Sequence, residues 1–276
     1  MPNDIFDDAK LKRQQLLAIF ETLPITTIHG VVGANGPSGG KIPPEVNWSL
    51  NLNLIAWRIP GAPIRNTQLS VSKTVSDEEL EALQGSIASE SVIAFQGKLC
   101  ECSPFGDSRA QLTSLLDTPR DNELESILSK FREPVEMTDP VVGRLILNKS
   151  VNWFEGKVVW LGKQVDIAVS LDENDSPADS LRTAKGLMEA MEQWASKVND
   201  YAAGQLLELK NDNWLDEDES AISREDFLGR MQLNSITVHP EGEFEFWHDD
   251  GDLFWGHSIL VSGSFTDGIT HADIAG

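Results

Sequence analysis

The chain predicts an α+β fold: an antiparallel sheet with helices packed on one face, preceded by a smaller mixed β/α N-terminal domain. Three observations carry this. Residues 243–265, EFEFWHDDGDLFWGHSILVSGSF, alternate Phe244 and Phe246 with Glu243 and Glu245, turn at Asp249-Asp250-Gly251-Asp252 and return through Ile259-Leu260-Val261. That is the pattern of a hairpin with one buried face. Leu181, Ala184, Met188, Met191, Ala195, Val198 and Ala202 recur at spacings of three and four, so a helix presents one apolar face to a sheet. Strands flank that helical stretch on both sides, the order of a sheet whose helices are segregated to one face.

At 276 residues, 40% hydrophobic and 24% charged, the chain has the length for two domains and the composition of a folded protein. No segment approaches the ~20 apolar residues that cross a bilayer. The opening MPNDIFDDAK is acidic and lacks an apolar core, so no secretion signal is expected. Cys100 and Cys102 are the only cysteines. A disulfide framework is excluded, and a cytoplasmic location is the simplest expectation.

Charge is the strongest global feature. Lys+Arg 22 against Asp+Glu 44 gives −22, and beyond Thr138 the balance is about −16. Such a field disfavours nucleic acid and anionic membrane and favours a basic protein partner.

In chain order, residues 1–24 read as an N-terminal helix ended by Pro24. Residues 25–133 read as a small α+β domain. Its glycine-rich VVGANGPSGGK fails as a phosphate loop, because Asn35 stands where the first Gly is required and Ile42 follows Lys41. Residues 48–57 alternate Leu50, Leu52 and Leu54 with Asn51 and Asn53, a strand. Ser76 and Glu79 form a capping box that opens a helix. Residues 92–102 return as a strand, with Cys100 and Cys102 on one face. Residues 109–131 read as a helix broken at Thr118-Pro119. Pro134 and Pro140, with acids between them, predict a linker.

Residues 141–276 read as the second domain. A short strand at 142–147 precedes a hairpin over 157–171 that turns at Gly162-Lys163. Ser176-Pro177 opens the long amphipathic helix, which Asn211-Asp212-Asn213 ends. Ser223 and Asp226 cap a short helix. A strand at 233–239 leads into the hairpin of 243–265, whose Phe246 and Trp255 are expected in the core, and 269–274 add an edge strand.

Trp214-Leu215-Asp216-Glu217-Asp218, followed by FEFWHDDGDLFWGHSILVSG, resembles an uncharacterised bacterial group, the domain of unknown function 2262 family. Asn152-Trp153-Phe154-Glu155-Gly156, Trp160-Xaa-Gly162 and Asn211-Asp212-Asn213-Trp214 extend the resemblance over about residues 143–276. It implies the domain and no activity. Analogy with related groups implies immunity proteins, which neutralise a toxin made by the same cell.

Two chemistries compete. Asp212, Asp216, Glu217, Asp218, Glu219, Glu225 and Asp226 form an acidic patch beside Trp214. Acids steer a basic partner and a Trp anchors it. The corresponding reading is an acidic cytoplasmic binding module, an immunity-type inhibitor of a basic toxin, with neither metal nor other cofactor. The alternative is a metal-dependent hydrolase built on His248, Asp249, Asp250, Asp252 and His257, since carboxylates and imidazoles across a hairpin can ligate a divalent ion that activates water. Against it, Asp and Gly are ordinary turn residues, and no nucleophile elbow or His-Glu-Xaa-Xaa-His helix is present.

Overall fold

The computed structural model describes residues 3–41, 46–118 and 120–276, and the chain divides into two compact units, Met1–Glu133 and Pro134–Gly276. The first runs α1 (Asn3–Thr22), β1 (Ile25–Val32), β2 (Ser38–Gly40), β3 (Trp48–Arg58), β4 (Leu69–Val75), α2 (Asp77–Ser86), β5 (Val92–Cys100), β6 (Ser108–Leu116) and α3 (Asn122–Arg132). Alternation decides its core. Leu50, Leu52 and Leu54 of β3 are buried, while Asn51 and Asn53 between them are exposed.

β1 pairs with both β3 and β5, β3 with β4, β4 in parallel with β6, and β6 with β5. This circuit closes on itself, with α2 between β4 and β5, which is the connectivity of an OB-type barrel. Closure leaves few free sheet edges. Ser76 accepts the Glu79 N–H at 3.3 Å, but the Glu79 carboxylate pairs with Lys73 instead of completing the capping box.

Two further expectations fail in this unit. Residues 109–131 are not one broken helix: the first part is β6 and only the second is helical, as α3. Ala110 and Leu112 are buried at every second position, a short strand that helix-forming neighbours disguised. Pro119, the expected break, lies outside the described residues. Cys100 is buried in a cluster with Leu16 and Phe20, whereas Cys102, beyond the end of β5, is exposed, so strand parity does not link the two.

The second unit runs β7 (Glu136–Asp139), β8 (Gly143–Asn148), β9 (Trp153–Trp160), β10 (Lys163–Ser170), α4 (Ala178–Glu189), α5 (Met191–Asn213), α6 (Arg224–Arg230), β11 (Gln232–Val238), β12 (Glu243–Asp249), β13 (Ser258–Ser264) and β14 (Gly268–Ala275). Its eight strands lie side by side in chain order. All neighbours are antiparallel except β10 and β11, which are parallel because the three helices carry the chain back between them. Ala184, Leu187, Trp194, Val198, Phe244 and Phe246 share one core. The architecture is α+β, with the apolar stripes of α4 and α5 laid on one face of the sheet.

The expected linker is a strand. β7 pairs with β8, and buried Asp139 accepts the Val141 and Val142 N–H groups at 2.8 and 3.2 Å. The prolines flank this strand instead of opening a free segment. The long helix is interrupted at Ala190 (φ −120°, ψ 34°), giving α4 and α5. The β9–β10 turn is Leu161-Gly162, both at positive φ (48° and 82°), one residue earlier than expected. No helix among the described residues is long and apolar enough to cross a membrane.

Candidate functional site

Pairing of β12 with β13 ends at Asp249 and Ser258, and residues 250–257 form the connecting loop. Asp250 organises it. Its buried carboxylate accepts N–H groups from Asp252 (3.2 Å), Phe254 (2.6 Å) and Gly256 (3.2 Å). Winding the chain around one acceptor brings Gly251, Asp252, Trp255 and Gly256 to positive φ, 55°, 64°, 57° and 86°. Gly251 is required there for a second reason: a Cβ would lie 2.5 Å from the Arg230 carbonyl oxygen.

This winding separates two aromatic neighbours. Phe254 turns inward and is 0% exposed, whereas Trp255 turns outward and is 60% exposed. The expectation of a buried Trp255 is therefore corrected, while Phe246 is buried as the alternation of β12 requires. An exposed Trp in the left-handed region is uncommon and persists only where its surroundings hold it.

Trp214, at the end of α5, backs this loop. Its ring lies 5.6 Å from that of Phe254, 4.7 Å from Trp255 and 5.6 Å from His257. Packed this way, Trp214 supports the exposed Trp255 and is only partly open itself. A chain of charges joins the acidic segment to the hairpin loop. Lys210, 0% exposed, donates to the Trp214 carbonyl at 2.6 Å and to Glu219. Arg230 donates to Glu219 at 3.1 Å and to the Gly251 carbonyl at 2.8 Å. The Lys210 ammonium, with the Asp216 N–H and Arg230, holds the Glu219 carboxyl below the ordinary carboxylate range.

The predicted acids thus divide by role. Glu219 is committed to Lys210 and Arg230. Asp226 completes a reciprocal cap with Ser223, which lowers its pKa. Asp212, Asp216, Glu217, Asp218 and Glu225 are exposed.

The predicted catalytic residues are placed differently. His248 faces inward with Phe244 and Phe246, 4% exposed; its Nδ1 has no hydrogen-bond partner, and burial pushes its pKa down to about 4. His257 sits against Trp214. Asp249 accepts the Gly251 N–H at 2.9 Å, Asp250 is spent on three N–H groups, and Asp252 is exposed. Among the described residues, no group of three or more His, Cys, Asp or Glu is arranged to hold a metal ion.

Sequence reasoning passed over Ser170, His239 and Glu245, which the sheet brings together. Ser170 Oγ lies 3.2 Å from His239 Nδ1, and His239 Nε2 lies 3.9 Å from Glu245. The residue types are those of a nucleophilic triad, but the geometry is not. Ser170 is buried and donates to the Val238 carbonyl at 3.1 Å, and 3.9 Å exceeds hydrogen-bond reach. No signal in the separated segments announces this cluster. The first unit has a groove of about 570 Å³ along β3, β4 and β6, whose Lys73 and Arg109 are paired with Glu79 and Asp107.

Comparison with known families places both units. Residues 139–274 match the family described as an uncharacterized protein conserved in bacteria (DUF2262), and residues 12–131 match a domain of unknown function (DUF7021). No curated protein matches the chain.

Proposed function

We propose, for a chain whose residues 139–274 belong to that uncharacterised bacterial family, a role as an acidic protein-binding module of the cytoplasm. In this reading the Trp214–Trp255 surface docks a basic protein, in the manner of an immunity-type inhibitor of a basic toxin. Trp255 carries the proposal. It is a large aromatic, 60% exposed, held at positive φ against Trp214, on a loop tied by Arg230 to the acidic segment.

Each part has a physical role in docking. Exposed Asp216, Glu217 and Asp218 supply a field that raises the encounter rate with a cation-rich surface. Trp255 supplies apolar area at a position where Trp is favoured as an anchor. The Lys210–Glu219–Arg230 chain and the Asp250 hub hold both loops in place before the partner arrives, which lowers the ordering cost of association. A net charge of −22 opposes nucleic acid and anionic membrane as partners. The hydrolase alternative draws no comparable support, because Asp250 is already committed to three N–H donors of its own loop and His248 is buried.

The test is affinity capture from the source cell with three baits: the native chain, Trp255→Ala, and Asp216→Asn/Glu217→Gln/Asp218→Asn. A basic protein captured by the native chain and weakened in both variants supports the reading. Equal capture by all three baits overturns it.

A further inference from the structure

The strand parity that builds the core of the second unit also sends one polar residue inward and sets a second, exposed one at the edge of the same face. On β10, Val165, Ile167 and Val169 are buried at every second position, and Lys163 begins the same series. On β12, Phe244 and Phe246 are followed in the same way by His248. Both polar residues line one groove of about 190 Å³, walled by Trp160, Val198, Leu228 and Phe246 between the sheet and helices α5 and α6.

Backbone groups of Ile259 and Phe246 act on the His248 ring, but one of its nitrogens is left over, as is the Lys163 ammonium. His248 is sealed into the groove wall with its Nδ1 unpartnered, a rare state for a buried polar atom in a folded protein. Lys163 is exposed and makes no ion pair among the described residues, although the unit around it is rich in carboxylates. An unpartnered imidazole nitrogen in a groove of mainly apolar lining, with a cation free of ion pairs lining the same groove, defines the complement of a ligand.

We propose that this groove binds a small aromatic carboxylic acid that carries one hydroxyl or N–H on its ring. The ring lies against Trp160 and Phe246, its polar substituent hydrogen-bonds the His248 imidazole, and its carboxylate pairs with Lys163. The volume is below the usual range for drug-sized ligands, so one ring with a short side chain fills it. Burial keeps His248 neutral at pH 7, leaving one ring nitrogen as an acceptor for the ligand's donor. The site is separate from the Trp255 surface, so its failure leaves the docking proposal untouched.

Calorimetric titration of the full chain with three probes tests this: 4-hydroxyphenylacetate, phenylacetate, which lacks the hydroxyl, and 4-methylphenol, which lacks the carboxylate. The first is expected to bind about tenfold more tightly than either of the others, the worth of one hydrogen bond to a buried or charged group. In His248→Phe the hydroxylated acid falls to the level of phenylacetate, whose own affinity is unchanged. In Lys163→Gln, an exposed substitution that leaves the core intact, both acids weaken and 4-methylphenol does not. Absence of binding by all three probes overturns the proposal. Equal loss of both acids in His248→Phe, or no loss of either in Lys163→Gln, overturns it as well.

Discussion

Strand β12 and the loop that follows it place their aromatic residues by different rules. In β12 the side chains alternate, so Phe244, Phe246 and His248 point inward because each is two residues from the last. In residues 250–257 no repeat operates. Direction is set by which N–H groups reach the Asp250 carboxylate, and Phe254 and Trp255 part company within one residue. A periodic backbone makes burial readable from spacing. A loop wound around a side chain does not.

The largest effect separates those two aromatics. Phe254→Ala should cost about 3–5 kcal/mol, the range for a lost core aromatic. Trp255→Ala should cost under about 1 kcal/mol, while speeding dissociation of a docked partner. Denaturant unfolding of both variants checks this, and equal losses would erase the distinction between strand and loop.

The strand side has its own signature in pH. His248 has a folded pKa of about 4 against a usual 6.5. The unfolded chain therefore binds the extra proton between those values, and stability falls as pH drops through that window. The loss approaches about 3 kcal/mol near pH 4. His248→Phe should flatten the slope between pH 6.5 and 4, and an unaltered slope would assign it to other groups. Glu219, whose pKa is depressed, adds acid sensitivity of the same direction at lower pH.

Within the loop, Asp250→Ala should cost about 2 kcal/mol by leaving its N–H donors unpaired, with hydrogen exchange accelerating first at Phe254 and Gly256. Protection unchanged at those amides would remove Asp250 from its organising place. The smallest effect belongs to the exposed acids. Replacing Asp216, Glu217 and Asp218 with amides should move stability by less than about 0.5 kcal/mol. Association with a basic partner should nonetheless slow, and its salt dependence flatten. Glu219→Gln sharpens the contrast: it is expected to loosen both loops through Lys210 and Arg230, and a melting temperature equal to that of the triple variant would refute the division of acids by role.

Much of the fold was legible because it rests on local repeats. The leucines of β3, the hairpin of β12 and β13, and the helical stripe from Leu181 to Ala202 each carry their own period. β6 was missed because only Ala110 and Leu112 mark its buried face, too few to outweigh helix-forming neighbours. β7 was missed because prolines and acids look like exposed chain until β8 supplies its pairing partner. The acidic patch was visible as composition, but its division into exposed Asp216–Asp218 and internal Glu219 was not.

The amino-acid sequence alone determined the α+β character, the strand faces and the surplus of negative charge, since side-chain direction along a strand or helix follows from backbone geometry within a few residues. Only the tertiary structure decided that Lys210, Glu219, Arg230 and the Gly251 carbonyl form one chain, that Trp255 faces outward, and that Lys163 and His248 share a groove. These are contacts between residues about ten to ninety positions apart. No local period encodes them, because they depend on which strand lies beside which and on where the helices return the chain.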